Sequence, residues 1–209
     1  GGWDFCRAAA EPLAGLKVDD ALAAIGPRIP ESPVAATALV TALEMLRGHT
    51  ALTLDRDVVL PLLTPFHSTD HADFPAEVEA RVAEGFRTLK VKVGKNWRED
   101  AAKVRAVQKA AKGKASIRLD ANRGFSRDDG VRFAETLEPD GIELFEQPCD
   151  SKAWDDNAAV AAASAVPVMM DESIYDLDDI RRAGDIEGIG FVKLKLKKMG
   201  GLDRLRDGL

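Results

Sequence analysis

An α/β fold built on a parallel sheet is predicted by three observations. From about residue 58 onward, short apolar runs alternate with helical segments. The connections between them are only a few residues long. Charged residues recur at the ends of the apolar runs, once per strand-plus-helix unit. Strands separated by helices pair in parallel, because each crossover returns the chain to the same end of the sheet. A doubly wound open sheet and a (β/α) barrel both satisfy this pattern. No glycine-rich phosphate loop follows the first strand, which counts against a dinucleotide-binding version.

Taken in order, residues 32–47 read as a helix of Ala, Leu, Met and Glu without internal Gly or Pro. The apolar run Val58 to Leu63, closed by Thr64-Pro65, reads as the first strand. Phe74-Pro75 opens a helix whose apolar face carries Val78, Val82 and Phe86, with Gly85 at its end. A strand at 88–93 precedes a helix at 99–112 stopped by Gly113. A strand at 115–120 precedes a helix capped by Ser126, with Asp129 three residues on. A strand at 141–146 leads into an Ala-rich helix reaching about Val166. A strand at 167–171, a short helix at 176–183 and a last strand at 190–196 complete the series. The acidic pairs Asp128-Asp129, Asp155-Asp156 and Asp178-Asp179 stand at helix starts, where the macrodipole favours them.

Composition narrows the function classes. The 209 residues are 45% hydrophobic and 31% charged, enough apolar surface for a core and too much for a disordered chain. A net charge of −6 and the lack of a basic arm argue against a nucleic-acid partner. No apolar run is long enough to span a membrane and no leader precedes the fold, so a cytoplasmic protein is expected. Two cysteines without CxxC spacing agree with a reducing compartment.

The informative residues are charges placed where core strands should be apolar. Lys90 and Lys92 share one strand face, about 7 Å apart. Asp120 and Asn122 end the next strand, Glu146 the one after, Asp171 and Glu172 the one after that, and Lys193 and Lys195 lie in the last. Lys92, Asp120, Glu146, Asp171 and Lys195 are separated by 28, 26, 25 and 24 residues. One unit per step puts them at equivalent C-terminal positions on five successive strands, where α/β enzymes carry their chemistry. A single charge at a strand end is ordinarily a solvated rim residue, and lysines on a last strand can guard an edge. Three carboxylates on consecutive strands flanked by lysines call for more, since gathered like charges need a cation or a proton between them. Carboxylates without His or Cys form a hard-oxygen site suited to Mg²⁺, with Mn²⁺ as the alternative. Lysines facing such a cation would have their pKa lowered towards neutrality and serve as bases. His67 and His71 have a His-x3-His spacing but lie in a polar loop without partner ligands, and no zinc is expected there. Trp97 and Trp154 follow strand ends and read as loop packing rather than as a roof over the site.

The ordered set Lys90-Val91-Lys92, Asp120-Ala121-Asn122, Glu146-Gln147-Pro148, Asp171-Glu172-Ser173 and Lys195 with Gly200-Gly201 resembles the enolase superfamily. Within it, the resemblance is to the muconate-lactonizing-enzyme subgroup. That superfamily's strategy, a Lys or His base with one or two Mg²⁺ ions stabilising an ene-diolate, is a worked case of pKa tuning. The resemblance implies a TIM-type barrel. It makes Asp120, Glu146 and Asp171 the metal ligands, Lys92 and Lys195 opposed acid/base groups, and Lys90 a partner of the substrate carboxylate. Asn122 and Glu172 would orient ligands and lysines. Lys193 departs from the family pattern, in which an uncharged polar or acidic residue is commoner there. The implied reaction is metal-dependent removal of the proton alpha to the carboxylate of a small substrate, through an enolate. An isomerase (cycloisomerase, racemase or epimerase) is expected, and a syn-eliminating dehydratase is the alternative.

A complete member would have a capping domain, eight barrel strands and, as expected here, a homo-oligomeric assembly. This sequence supplies about six βα units in 56–209 and a helical remainder of the cap in 1–55. It starts without Met and stops soon after Gly201, so a truncated member is expected. A non-catalytic fragment is therefore a second reading. A Schiff-base aldolase-like barrel is a third, which leaves the clustered carboxylates unexplained.

Overall fold

Three helices open the chain: α1 (Gly2–Ala10), α2 (Val18–Ile25) and α3 (Pro33–Arg47). Pro33 occupies the first turn of α3, where its missing N–H costs nothing, and Gly48 ends it in the left-handed conformation with φ +72°. Ala9, Ile25, Ile29, Ala36 and Val40 form the apolar centre of this helical group. The computed structural model describes residues 1–53 and 55–209; Leu54, beside the expected boundary between capping and barrel segments, lies outside the described residues.

The strands follow as β1 (Thr64–Pro65), β2 (Thr88–Lys92), β3 (Ser116–Asp120), β4 (Ile142–Glu146), β5 (Val168–Met170) and β6 (Ile189–Val192). Between them run α4 (Phe74–Ala83), α5 (Trp97–Ala111), α6 (Arg127–Ala134), α7 (Trp154–Ala163) and α8 (Leu177–Gly184). The short helices α9 (Leu196–Met199) and α10 (Leu202–Asp207) come last. All six strands form one sheet in sequence order, and every neighbouring pair is parallel. The predicted α/β architecture is therefore present. Among the described residues, no helix is long and apolar enough to cross a membrane.

By internal contacts the chain divides into two compact units, residues 1–58 with 174–180 and 194–209, and residues 59–173 with 181–193. The second contains the sheet. Its strands alternate, so Val91, Leu119 and Phe145 stand in register on one face. The Phe145 ring meets Phe133 of α6 and Phe125 edge-on, at 5.2 and 6.3 Å between centroids. The opposite face carries the charges.

Two strand expectations are corrected. Residues 58–63 are not a strand: Val59 is 94% and Leu60 72% exposed, and pairing with β2 begins only at Thr64 opposite Leu89. An apolar run without alternation does not by itself distinguish a strand from exposed chain. The last strand ends at Val192, not near residue 196. Its partner β5 ends at Met170, whose carbonyl accepts the Lys193 N–H at 2.8 Å, so the ladder has no further rung. Lys195 caps α9 instead.

Candidate active site

Lys92, Asp120 and Glu146 are directly in register across β2, β3 and β4. The expectation of five equivalent positions holds for these three. Glu146 faces Met169, so Asp171 lies two residues further along, just past the end of β5. The strand ends are therefore staggered here.

The three carboxylates are buried, Asp120 at 1%, Glu146 at 3% and Asp171 at 2% exposure. Ammonium groups stand between them. Lys90 Nζ lies 2.7 Å from Asp120 Oδ2 and 2.9 Å from Glu146 Oε2. Lys193 Nζ lies 2.8 Å from Glu146 Oε1 and 3.8 Å from Asp171 Oδ2. Lys92 Nζ donates to Asp120 Oδ2 at 2.6 Å and to Asn122. Asn122 in turn donates to Glu172 Oε1 at 3.2 Å, while Glu172 Oε2 is buried without a hydrogen-bond partner among the described residues.

The electrostatics follow from these contacts. Burial pushes the Asp120 carboxyl up, but hydrogen bonds from Lys90, Lys92 and the Asn122 N–H outweigh it and hold the group below its ordinary range. Burial likewise pushes Lys90 down, and its bonds to Asp120 and Glu146 more than reverse this. With ammonium groups as the counter-cations, Lys90 is thus locked in its charged form. The sequence-based expectation that lysines here would sit lower applies to lysines beside a metal ion, a different charge state of the site. Lys92 is the accessible lysine, with its side chain 56% exposed against 14% for Lys90.

The loops after the strands hold these groups in place. Gly94, at φ +103°, lets the loop after β2 pass so close to the next strand end that a Cβ would lie 2.6 Å from the Ala121 carbonyl oxygen. Asp100 of α5 accepts the N–H groups of Gly94, Lys95 and Asn96 at 2.9, 2.9 and 3.1 Å. Asn122, Arg123 and Gln147 adopt positive φ of 44°, 67° and 37°, backbone strain that clusters at the carboxylate-bearing strand ends.

Gln147 is the main residue that sequence reasoning did not single out. Fully buried, it accepts the Asp171 and Ser173 N–H groups on Oε1 at 2.9 and 3.1 Å and donates to Ser173 Oγ at 2.8 Å. Its position after Glu146 was the one available signal. A second unforeseen group is the polar layer lower on the same sheet face. There Glu143 receives Thr88, Ser116 and Arg118, the last at 2.5 Å, next to a register irregularity between β3 and β4.

The structure thus brings Lys90, Lys92, Asp120, Asn122, Glu146, Asp171, Glu172 and Lys193 to one end of the sheet. Lys195 falls in the other compact unit. The histidine loop is organised otherwise: Glu77 accepts the N–H groups of His67 and Ser68 at 2.9 and 2.7 Å, and His71 packs on Phe74. Trp97 and Trp154 each begin a helix beneath an arginine, Arg98 and Arg182, as packing residues do.

Two groups of side chains bear on metal binding. The Asp120, Glu146 and Asp171 donor set is all oxygen, and its gaps hold ammonium ions as stand-in cations. That chemistry fits a hard divalent ion. Among the described residues, ligand atoms within 4.8 Å of one another occur in Glu44, His49 and Asp203. That cluster is satisfied internally. His49 Nδ1 accepts the Ala51 N–H at 3.1 Å, so in the neutral ring Nε2 carries the proton and donates to Asp203 at 3.0 Å. Both Glu44 oxygens accept the Leu202 N–H. No imidazole lone pair is left for a metal.

The chain has relatives among known proteins. The chain is 33% identical over 154 residues to the L-Ala-D/L-Glu epimerase of Clostridium acetobutylicum, an alignment covering 71% of this chain and 40% of that protein. It is 35% identical over 181 residues to the o-succinylbenzoate synthase of Mycolicibacterium smegmatis, covering 85% of this chain and 54% of that one. The chain thus spans about half the length of these curated relatives. The crystal structure of the dipeptide epimerase from Enterococcus faecalis V583, complexed with Mg and L-Leu-L-Tyr, shares the fold. Its TM-score is 0.81 at 24% identity, covering 98% of this chain and 60% of that one. The model of the family "Enolase C-terminal domain-like" matches residues 73–208, and with its lysine and carboxylate motifs in order along a parallel sheet the chain belongs to that family of the enolase superfamily.

Proposed function

We propose that this chain carries the machinery for removing and returning the proton alpha to a carboxylate, as an isomerase that epimerises small carboxylate substrates of the dipeptide class. The observation that supports it most is the set of three buried carboxylates at adjacent strand ends, interleaved with lysines. Asp120, Glu146 and Asp171 would hold Mg²⁺, or Mn²⁺ in its place. When bound, the cation would supply a Lewis-acid centre against which charge on the substrate carboxylate develops.

The chain's own groups account for the rest. Lys92, the exposed member of its pair, exchanges the alpha proton at Nζ from one side, and Lys195 serves the opposite side. Asn122, bridging Lys92 and Glu172, orients the Lys92 amine. Lys90 contributes positive charge for the substrate carboxylate. Residues 1–55 are the helical remainder of a capping domain, and the protein works in the cytoplasm as a homo-oligomer. The o-succinylbenzoate synthase relative favours a second reading, syn-elimination of water through the same enolate.

Proton NMR in deuterium oxide tests the proposal. With Mg²⁺ and a panel of dipeptides, the alpha-proton signal of a substrate should disappear as deuterium enters. Lys92→Ala should slow this about 1,000-fold in a chain that still unfolds cooperatively. Loss of a β-hydroxy acid with release of water would select the second reading. A folded, Mg²⁺-loaded chain showing neither reaction would overturn both.

A further inference from the structure

Lys193 is the residue that the family resemblance leaves without a role, and its surroundings assign it one. Its backbone is the last rung of the sheet, anchored to the Met170 carbonyl at 2.8 Å, so its Cα is fixed beside the end of β5. Its side chain reaches across to Glu146 Oε1 at 2.8 Å and Asp171 Oδ2 at 3.8 Å. The three carboxylates leave two gaps along the row, and two ammonium groups fill them. Lys90 takes the gap between Asp120 and Glu146, and Lys193 the gap between Glu146 and Asp171. Each oxygen of Glu146 therefore has its own lysine.

A divalent cation on these carboxylates needs the same oxygens and carries the same sign of charge. It and the lysine in its gap exclude one another. The two lysines are not equally free to leave. Lys90 springs from within β2 and is 14% exposed, whereas Lys193 stands past the end of β6 with 34% of its side chain in solvent. Lys193 can swing outward at the cost of its ion pairs to Glu146 and Asp171, whereas Lys90 is the more enclosed of the two.

We propose that Lys193 is a tethered counter-cation. It neutralises the Glu146–Asp171 gap in the metal-free protein and is displaced when a divalent ion binds, and so weakens metal affinity while stabilising the metal-free fold. This rests on the metal-site reading above.

Mn²⁺ binding, followed by electron paramagnetic resonance of the free ion, tests it on the parent chain and on Lys193→Gln, Lys193→Arg and Glu146→Gln. Removing the competing charge in Lys193→Gln should tighten the Mn²⁺ Kd about tenfold, the size of one modest ion pair. Its metal-free melting temperature should fall. Lys193→Arg, which keeps the charge, should stay near the parent on both counts. In the parent itself, acetylation of Lys193 read by mass spectrometry should speed up on saturation with Mn²⁺. This readout stands even if Lys193→Gln fails to fold without metal. An unchanged or weaker Kd in Lys193→Gln, or Lys193 acetylation indifferent to Mn²⁺, overturns the proposal while leaving the metal site intact. No Mn²⁺ binding by the parent, or binding that survives Glu146→Gln, overturns the site reading and this inference with it.

Discussion

Buried carboxylates in this protein are satisfied in two different ways. In the helical unit both oxygens of Glu44 accept a backbone N–H, that of Leu202, and in the loop after β2 one oxygen of Asp100 accepts three. At the strand ends, both oxygens of Glu146 accept from lysine ammonium groups, and Asp120 takes two lysines and a single backbone N–H. A backbone donor is fixed by the fold and cannot be exchanged without unfolding it locally. An ammonium on a flexible stem can give way to a metal ion or to a substrate. Burial alone does not separate structural from functional acids; the mobility of the partner does.

The largest test of this contrast is Asp100→Ala. It would leave three N–H groups of a tight loop without their acceptor and should cost about 3 kcal/mol, read as a lower denaturant midpoint with an unchanged slope. The Mg²⁺-induced rise in melting temperature should survive in this variant. If Asp100→Ala were neutral, the backbone-held class would have no structural meaning.

Metal addition addresses the other class. Mg²⁺ at a hundredfold excess over its Kd should stabilise the folded chain by about 2.7 kcal/mol, and a chelator should reverse the effect. Glu146→Gln should remove most of that response, because the amide is a poorer ligand. The metal-free form of the same variant should melt lower than the parent, because Lys90 and Lys193 both lose their shared buried carboxylate. A calorimetric scan of parent and variant, each with and without Mg²⁺, reads all four states.

The smallest effect contrasts two buried groups in the same unit. Asp120 is drawn below its ordinary range by its lysines, whereas the pull of Arg127 on Cys149 is outweighed. Burial, helped by Asp156, pushes its thiol up to about 12. The folded state thus keeps the thiol neutral while the unfolded chain ionises from about pH 8.5. Stability should decline as pH rises from there towards the folded value. Replacing Cys149 with Ala should flatten that alkaline slope in urea titrations, although the small cavity lowers stability at every pH. An identical slope would show that the thiol is not shielded.

Much of this is legible in the sequence. Helices with a Pro near the start and a Gly at the end, such as α3 and α4, lay where local rules put them, and so did the strands carrying Lys92, Asp120 and Glu146. The residues 58–63 misled because hydrophobicity is a property of a segment, whereas a strand is a property of a pair. The exposed Val59 and Leu60 find no partner, while the less apolar Thr64 does. Gln147 stayed hidden for the same reason, since its function is a set of hydrogen bonds to residues 24 and 26 positions away.

The sequence by itself determined the order of the elements, the face of the sheet on which charges stand, and the acidic, metal-compatible character of the strand ends. These follow from periodicities of two and 3.6 residues and from one charged residue per βα unit, all local quantities. Only the tertiary structure decided which cation faces which carboxylate. It ended β6 at Val192, brought Glu143 into a polar layer, and gave Lys193 to Glu146 and Asp171. Electrostatic partnership falls off over a few ångströms in space. Residues 47 positions apart in the chain acquire it when parallel strands bring their ends together.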